Sequence, residues 1–273
     1  GTMTNQDSAD LVYSSVLPDQ SFLTGLNSAY NYIDLDGSDE YIDTGTGIGD
    51  FLGDNYAGDF SVSMWFNADA NSNGLFNAGT SFGGDHGEFS IIAGGNFVIY
   101  FNDAGYNKQF TAPSTGTWNH IAVSFDASSE SNLKIFLNGS QVSYSGSGGS
   151  FPSAGDLDFN NTKIIIGAYH SSSYMFNGKI GQTAFYNKAL SETELSAIYK
   201  LGRYGNLLDS YSDNLLGYWA MSALDAKTGL SDVGDGTIYD RSGNSNHGTA
   251  TNTESSDLAS SPNAEPNGYA KGD

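Results

Sequence analysis

The sequence has no cysteine, and only ten of its 273 residues are lysine or arginine. Without cysteine the chain forms neither a disulfide nor a thiolate metal site. No run of about 18 apolar residues occurs, which excludes a membrane-spanning helix and predicts no membrane insertion. The sequence also has no GxSxG, no HExxH and no glycine-rich phosphate loop. The commonest signatures of serine hydrolases, zinc proteases and nucleotide-binding proteins are therefore missing.

Acidic residues outnumber basic residues by about three to one. The chain carries 31 Asp and Glu, which gives a formal net charge of −21 at pH 7. A field of this sign repels phosphate backbones, so nucleic acid is not expected as a partner. We expect most of the carboxylates to be solvated on the surface, while a few could supply oxygen ligands for calcium.

Short alternating segments dominate the sequence. In FSVSMWF (60–66), one face carries Phe, Val, Met and Phe, and the other carries serine. The segments at 118–125, 133–139 and 163–169 have the same character, and glycine-containing turns separate such segments along the chain. This pattern predicts an all-β fold, a two-sheet antiparallel β-sandwich of the jelly-roll type.

One segment has a helical period instead. In LSETELSAIYKLG, Ser191 precedes Glu194 by three residues, which is the spacing of a capping box. Leu195 and Ile198 share a helical face, and Gly202 is placed to end the helix. The sequence therefore predicts one short helix near 191–202.

Several of these segments together resemble a known family. The resemblance lies in IDLDGSDEYIDTG, FSVSMWFN, TWNHIAVSFD, LKIFLNG and FNGKIGQTAFYNKALSETELSAIY, which follow one another in the order usual for laminin-G-like, concanavalin-A-like lectin/glucanase jelly-roll modules. The resemblance implies the jelly-roll sandwich. It is much less specific for function.

Two features depart from the usual pattern of that family. LLGYWAM and YDRSGNSNHGT resemble the opening segment of such a module but stand last, within 205–252. We therefore expect residues 1–252 to form a single sandwich with its opening segment at 205–252, and residues 253–273 to be a polar tail or linker. The second departure is Gly181-Gln182, where relatives commonly carry two acids that can support a bound calcium.

The two ends of the chain repeat each other. Residues 1–15 and 248–262 agree at 8 of 15 positions. Gly1-Thr2 could be a cloning scar, but a scar does not explain the matches from Asn5 onward, so we favour a repeat boundary. One sandwich offers one place for a GTxTN strand. We expect 248–252 to fill it and the N-terminal copy to be looser, or docked on an adjacent molecule.

Two turns carry candidate calcium ligands. DRSGNSNHG places oxygen donors at every second position on a glycine-rich loop, and the Asp-Gly turn at 36–40 is the second candidate. Oxygen donors spaced in this way can wrap Ca²⁺. The alternative is a hydrogen-bonded Asx turn, in which the same side chains satisfy local backbone N–H groups. The candidate ligands are Asp36, Asp39, Asp240, Asn244 and Asn246.

Three loops mix aromatic and polar residues, as a sugar-binding surface requires. We interpret them as a glycan-binding rim; the alternative is that each aromatic ring packs on its own loop. The candidate ligand-binding residues are Phe82, Asp85, His86, Tyr106, Tyr169, His170 and Tyr174. We place the three tryptophans, Trp65, Trp118 and Trp219, in the core.

Catalysis has little support in the sequence. No strand carries the paired carboxylates, such as ExDxxE, that glycosidases on related sandwiches use. We expect a non-catalytic carbohydrate-binding or adhesion module of an extracellular, cell-surface or virion-surface protein, with a glycan or surface polysaccharide as partner. One alternative is a surface structural or decoration protein whose duplicated termini join copies of itself or neighbouring modules. A second is a polysaccharide-degrading enzyme.

Overall fold

The computed structural model describes most of the chain between Tyr32 and Thr253. The described residues are 32–45, 52, 58–69, 72–79, 88–101, 105–152, 156–157, 159, 162–169, 174–221, 236–253 and 257. The N-terminal copy of the repeat lies outside them.

Sixteen strands and one α-helix make up the described part of the chain. The strands are β1 (Ile33–Asp36), β2 (Tyr41–Asp43), β3 (Phe60–Ala68), β4 (Gly74–Gly79), β5 (Phe89–Ala93), β6 (Asn96–Phe101), β7 (Tyr106–Thr111), β8 (Asn119–Phe125), β9 (Lys134–Leu137), β10 (Ser140–Gln141), β11 (Ser145–Gly148), β12 (Lys163–Ile166), β13 (Asn177–Tyr186), β14 (Leu215–Trp219), β15 (Gly236–Ile238) and β16 (Gly248–Thr251). The helix is α1 (Glu192–Leu201), and two 3-10 turns lie at Glu130–Asn132 and Leu207–Asp209. No described helix is long and apolar enough to cross a membrane.

The strands form two antiparallel sheets. The seven-stranded sheet has the order β1-β13-β3-β8-β9-β10, with β14 also paired to β13. The nine-stranded sheet has the order β11-β7-β6-β5-β4-β12-β2-β16-β15. The two sheets share one hydrophobic core, so the predicted all-β sandwich is confirmed.

Phenylalanine fills much of the space between the sheets. Phe60 and Phe66 on β3 are fully buried in the core. The ring centroid of Phe60 lies 5.0 Å from those of Phe89 and Phe125, which come from opposite sheets. Rings at this separation contribute beyond the apolar area that they bury. The alternation predicted for residues 60–66 is therefore correct, and it defines the inner face.

The helix covers the outer face of the seven-stranded sheet. The Ser191 side chain accepts a hydrogen bond from the backbone N–H of Glu194, and the Glu194 side chain accepts one from the backbone N–H of Ser191, so the predicted capping box is present. Leu195 and Ile198 pack on this face, and Gly202 follows the helix with a φ of 74°. Burial on both faces explains why the serines of β3 are buried as well.

The late segment joins both sheets of the sandwich. β1 pairs with one half of β13 and β14 with the other half, so the two strands lie end to end along the same edge. In the other sheet, β16 lies between β2 and β15. LLGYWAM and YIDLDG therefore contribute strands to the same sheet. The boundary at residue 252 stays a prediction, although Thr253 is buried and the Asp257 carbonyl accepts a hydrogen bond from the Asp34 N–H at 2.7 Å.

Candidate functional site

The outer face of the nine-stranded sheet carries a row of side chains that the strand register fixes. Residues paired directly across neighbouring strands lie on the same face. Phe97, Ile99 and Phe101 of β6 point into the core, so Tyr100 between them points outward. The outer row runs through Asn107, Tyr100, Ser90, Asn77, Ile165 and Asp43.

Three tyrosines meet on this face. Tyr100 stacks on Tyr169 with ring centroids 6.1 Å apart and an angle of 18° between the planes. Tyr169 meets Tyr174 edge to face at 5.8 Å. Tyr169 is only 4% exposed, whereas Tyr174 is 42% exposed. We call Tyr100, Tyr169 and Tyr174 the tyrosine cluster; it presents one open ring supported by two others.

Backbone contacts hold the cluster in place. A bridge joins Ala168 to Met175, and the Tyr169 N–H donates to the Tyr174 carbonyl at 3.0 Å. The Gly74 N–H on β4 donates to the same carbonyl at 3.2 Å. A Cβ atom at Gly74 would lie 1.9 Å from the Tyr169 nitrogen, so only glycine permits this close approach. The ring positions are therefore set by the sheet.

Apolar and polar groups surround the cluster on the same face. Ile165, Ala168 and Met175 form a small apolar group, against which Tyr41 packs. Asn77 is buried on the outer row, and its Oδ1 has no hydrogen-bond partner among the residues that the structure describes. Aromatic surface thus lies close to an amide oxygen that can accept a hydrogen bond.

Charge on this face is largely balanced where the structure describes it. Lys163 forms an ion pair with Asp43, whose carboxylate lies 2.8 Å from the Lys163 Nζ. The two residues come from the neighbouring strands β12 and β2. Because the charges of the pair cancel, we consider the tyrosine cluster as the candidate binding surface of the described face.

The structure corrects part of the predicted ligand-binding set. Tyr106 is not an exposed loop residue: it is 3% exposed, packs edge to face on Phe101, and donates its hydroxyl to Glu130 at 2.8 Å. Tyr169 is also buried, although it belongs to the tyrosine cluster, and Tyr174 is exposed as expected. The remaining predicted residues lie outside the described part of the chain. They are Phe82, Asp85, His86 and His170.

Tyr100 and Tyr41 are residues of this face that we did not predict. Both residues lie in strands. In NFVIYF, Phe97, Ile99 and Phe101 alternate along the strand on the core face, so Tyr100 lies on the other face. Alternation therefore could have identified Tyr100. The stacking with Tyr169 could not be predicted, because the two residues are far apart in sequence.

The buried polar side chains of the other sheet have structural roles. Trp65 and Trp219 are buried, as predicted, while Trp118 is half-buried and lies 4.0 Å from the Arg203 guanidinium. Burial lowers the pKa of His120 to about 3. His120 is therefore neutral at physiological pH, and its Nε2 lies 2.9 Å from the Ser63 hydroxyl. These contacts agree with a core position for His120.

The Asp240 carboxylate is fully engaged by groups of the chain. Its Oδ1 accepts hydrogen bonds from the Tyr218 and Ser242 backbone N–H groups, each at 2.8 Å. Its Oδ2 accepts from the Asn246 N–H at 2.9 Å and from the Ser242 hydroxyl at 2.7 Å. This is the hydrogen-bonded Asx turn that was the alternative to a calcium loop.

The asparagines of the same loop protect a sheet edge. Asn244 Nδ2 donates to the carbonyls of Leu215 and Leu216, at 2.9 and 3.2 Å, and Asn246 Nδ2 donates to Leu216 at 2.7 Å. The Trp219 Nε1 donates to the Asn246 carbonyl at 2.8 Å. The loop thus pairs with the free edge of β14, where a backbone edge would otherwise be open to another chain.

Calcium binding stays a prediction. Asp36 and Asp39 are exposed, and Asp36 Oδ1 accepts the Ser38 N–H at 2.7 Å. Within the described ranges, no three His, Cys, Asp or Glu side chains are arranged to hold a metal ion. A calcium site at this turn would make the melting temperature higher in millimolar calcium than in EDTA. Equal melting temperatures would refute it.

Gly181 and Gln182, the second departure noted in the sequence, are both packed. A Cβ atom at Gly181 would lie 3.2 Å from the Trp65 Cβ and 3.3 Å from the Arg203 stem. Gln182 is buried and donates to the Tyr218 hydroxyl at 2.9 Å. This pair therefore anchors the outer side of the seven-stranded sheet.

Glu40 is a buried acid whose ionisation opposes folding. Burial raises the pKa of Glu40 to about 7, and the nearby carboxylates of Asp257 and Asp36 act in the same direction. The Asp36 N–H, which donates to Glu40 Oε2 at 2.6 Å, opposes the rise in pKa. A folded-state pKa above the ordinary value of 4.5 means that the native state binds the proton more tightly. This stabilisation is present below pH 4.5 and is lost as the pH rises through about 7.

Glu40→Gln should therefore be more stable than the native chain at pH 8 and close to it at pH 4, because glutamine never carries the buried charge. The measurement is the melting temperature across this pH range. Asp39→Asn, which removes an exposed charge from the same turn, should keep the native pH profile. A Glu40→Gln profile parallel to the native one would contradict this account.

Comparison with known proteins identifies the family to which the sandwich belongs. The sequence model of a laminin-G-like family, described as the concanavalin A-like lectin/glucanases superfamily, matches residues 36–196. A search of curated proteins finds no match.

Solved structures are similar to this chain at low sequence identity. A candidate carbohydrate-binding protein from Bacteroides ovatus is similar with a TM-score of 0.52 and 16% identity, over 82% of this chain and 59% of that protein. The CBM40 of the Ruminococcus gnavus IT-sialidase, bound to α2,3-sialyllactose, has a TM-score of 0.48 and 17% identity, over 63% of this chain and 97% of that one. A heptameric SAP-like pentraxin from Limulus polyphemus has a TM-score of 0.46 and 13% identity, over 62% and 82%.

At these identities the structural similarity supports the fold alone. This chain spans 59% of the length of the B. ovatus protein. The family match is independent of that likeness and extends over more than half of the sequence. This chain belongs to the concanavalin A-like lectin/glucanases superfamily.

Proposed function

We propose that this chain is a non-catalytic carbohydrate-binding module of an extracellular or surface protein, and that it binds its glycan on the tyrosine cluster. The observation that carries the proposal is the exposed ring of Tyr174 on the outer face of the nine-stranded sheet, which packs edge to face on Tyr169, itself stacked on Tyr100. A ring held by its neighbours is already ordered, so its side chain loses little conformational entropy when a ligand stacks on it.

The chemistry of the face fits a sugar ring. A pyranose presents an apolar C–H face, which can lie on an aromatic ring, and hydroxyl groups around its rim. The buried Asn77 Oδ1 can accept a hydrogen bond from a hydroxyl group if the covering side chains move aside. Binding sites of this kind combine aromatic surface with a few polar groups that fix orientation.

The similarity to the B. ovatus protein supports the proposal through the fold, since that protein is itself a candidate for carbohydrate binding. The similarity between the two proteins covers the arrangement of strands only. The proposed sugar contacts therefore rest on residues of this chain.

Hydrolysis is the alternative activity for this fold. A glycosidase needs two carboxyl groups on either side of the scissile bond, one of them protonated. On the described outer face, Asp43 is held in an ion pair with Lys163, with its carboxylate 2.8 Å from the Lys163 Nζ. We therefore expect glycan binding without release of sugar; new reducing ends after incubation with a bound polysaccharide would favour the enzyme.

Tyr174→Ala should weaken glycan binding about tenfold, the loss typical of a central aromatic contact. Because Tyr174 is exposed, its replacement should change the free energy of unfolding by no more than about 0.5 kcal/mol. A glycan array, run with and without calcium, identifies the glycan, and titration of that glycan gives the two dissociation constants.

Tyr204 offers a matched control. It is 41% exposed, nearly the same as Tyr174, but it lies beside Arg203 after the helix. Tyr204→Ala should bind the glycan like the native chain. Equal losses in the two variants would show that the tyrosine cluster is not the site.

A further inference from the structure

One position in the nine-stranded sheet is filled by β16, the last strand of the described chain. β16 fills the gap between β2 and β15, which we call the strand slot. The sequence of β16 and of the residues after it is half of the repeat that links the two ends of the chain. The structure shows which positions of this repeat the slot requires.

The slot makes specific demands at three positions. At Gly248, a Cβ atom would lie 2.4 Å from the Ile42 Cγ2, so a side chain there collides with the core. Asn252 has a φ of 58°, a conformation in which asparagine is enriched among non-glycine residues. The Asn252 side chain also donates to the Asp39 carbonyl at 3.2 Å.

The third demand lies five residues further along. The Asp257 carbonyl accepts the Asp34 N–H at 2.7 Å, which ties Asp257 to β1. The Asp257 carboxyl group also shares a hydrogen bond with Glu40. Gly248, Asn252 and Asp257 therefore anchor the segment at its start, its middle and its end.

The N-terminal segment has the same three residues at the same spacing. Gly1, Asn5 and Asp10 correspond to Gly248, Asn252 and Asp257. Thr2 and Thr4 also match Thr249 and Thr251. Two of the three anchors, Asn5 and Asp10, follow Gly1-Thr2 in the sequence. They would therefore be present even if Gly1-Thr2 were a cloning scar.

The sequence differences between the two copies predict which copy binds the strand slot more tightly. Met3 stands in place of Ala250, and Gln6 in place of Thr253, and both positions are fully buried in the slot. The larger side chains fit less well in a close-packed core, although methionine adapts better than most. The C-terminal copy should therefore hold the slot most of the time.

We infer that residues 1–11 are a second occupant of the strand slot, able to replace residues 248–258 when β16 detaches. Exchange within one chain frees the C-terminal copy, and exchange between chains joins two copies of the protein. Donation of a strand from one copy to another is an established route to assembly. The inference stands independently of glycan binding.

Disulfide trapping tests the exchange in the full chain, because the protein has no cysteine of its own. Thr249 lies directly across from Asp43 in the sheet, and Thr2 is the counterpart of Thr249. A chain with Thr2→Cys and Asp43→Cys should form a disulfide at least about tenfold faster than one with Thr2→Cys and Lys134→Cys. Lys134 lies on β9 of the other sheet. Thr249→Cys with Asp43→Cys is the positive control, since cross-strand pairs lie within disulfide range.

Two readouts decide the result. Adding Asn5→Ala and Asp10→Ala should slow the Thr2→Cys and Asp43→Cys reaction at least about fivefold, because the counterparts of the Asn252 and Asp257 side-chain hydrogen bonds are lost. Mass spectrometry separates a cross-linked monomer from a cross-linked dimer, and either product supports the second occupant. A rate equal to that of the Lys134→Cys control, or one that the loss of Asn5 and Asp10 leaves unchanged, would overturn the inference.

Discussion

Replacing Asp240 by alanine should destabilise the protein by about 3–6 kcal/mol. The Asp240 carboxylate accepts hydrogen bonds from three backbone N–H groups, those of Tyr218, Ser242 and Asn246. Tyr218 and Asn246 are buried, and each unsatisfied buried donor costs about 1–3 kcal/mol; the half-buried Ser242 N–H adds a smaller loss. Since a domain of this kind is stable by about 5–15 kcal/mol, the variant should be close to unfolding at physiological temperature.

Urea unfolding measures the loss in Asp240→Ala. Asp213→Ala is the matched control, because Asp213 is an exposed acid just before β14, and it should cost no more than about 0.5 kcal/mol. Asp240→Asn keeps one acceptor oxygen and should fall between the two. A loss below about 1 kcal/mol in Asp240→Ala would show that the loop does not hold the β14 edge.

Gly248→Val should have the second-largest effect, about 3 kcal/mol, the upper end for overpacking a core. The added side chain would collide with Ile42, because even the Cβ atom lies 2.4 Å from the Ile42 Cγ2. Relief requires β16 to leave the strand slot, which breaks its pairing with β2 and β15. The measurement is again the free energy of unfolding in urea.

Thr249→Val separates collision from a general effect of valine. Thr249 is the next residue of the same strand and is exposed, so this change should cost no more than about 0.5 kcal/mol. Deleting residues 1–15 should leave the melting temperature nearly unchanged, because β16 already fills the slot. A large loss on that deletion would show that the N-terminal copy stabilises the sandwich.

Local chemistry explains what could be predicted from the sequence. The capping box needs only Ser191 and Glu194, and its two hydrogen bonds form within one turn. The inner face of β3 follows from strict alternation, because the period of a strand is two. Both features depend on residues close together in the chain.

Long-range pairing explains what could not be predicted. Tyr106 begins β7, and the face on which it lies depends on its pairing with Phe101 of β6. The Asp240 loop has the composition of a calcium loop and of an Asx turn alike. Its partner, the Tyr218 N–H, lies 22 residues away, so the sequence left both interpretations open.

The central claim, that the tyrosine cluster binds a glycan, is tested most directly by NMR titration with a glycan selected on the array. With tyrosine rings and methionine methyl groups labelled, the largest shifts should occur at Tyr100, Tyr169, Tyr174 and Met175. The buried Tyr186 and Tyr218 of the other sheet, and the exposed Tyr204, should stay unchanged. Shifts centred on Tyr204, or no shift at any concentration of any array-selected glycan, would contradict the account.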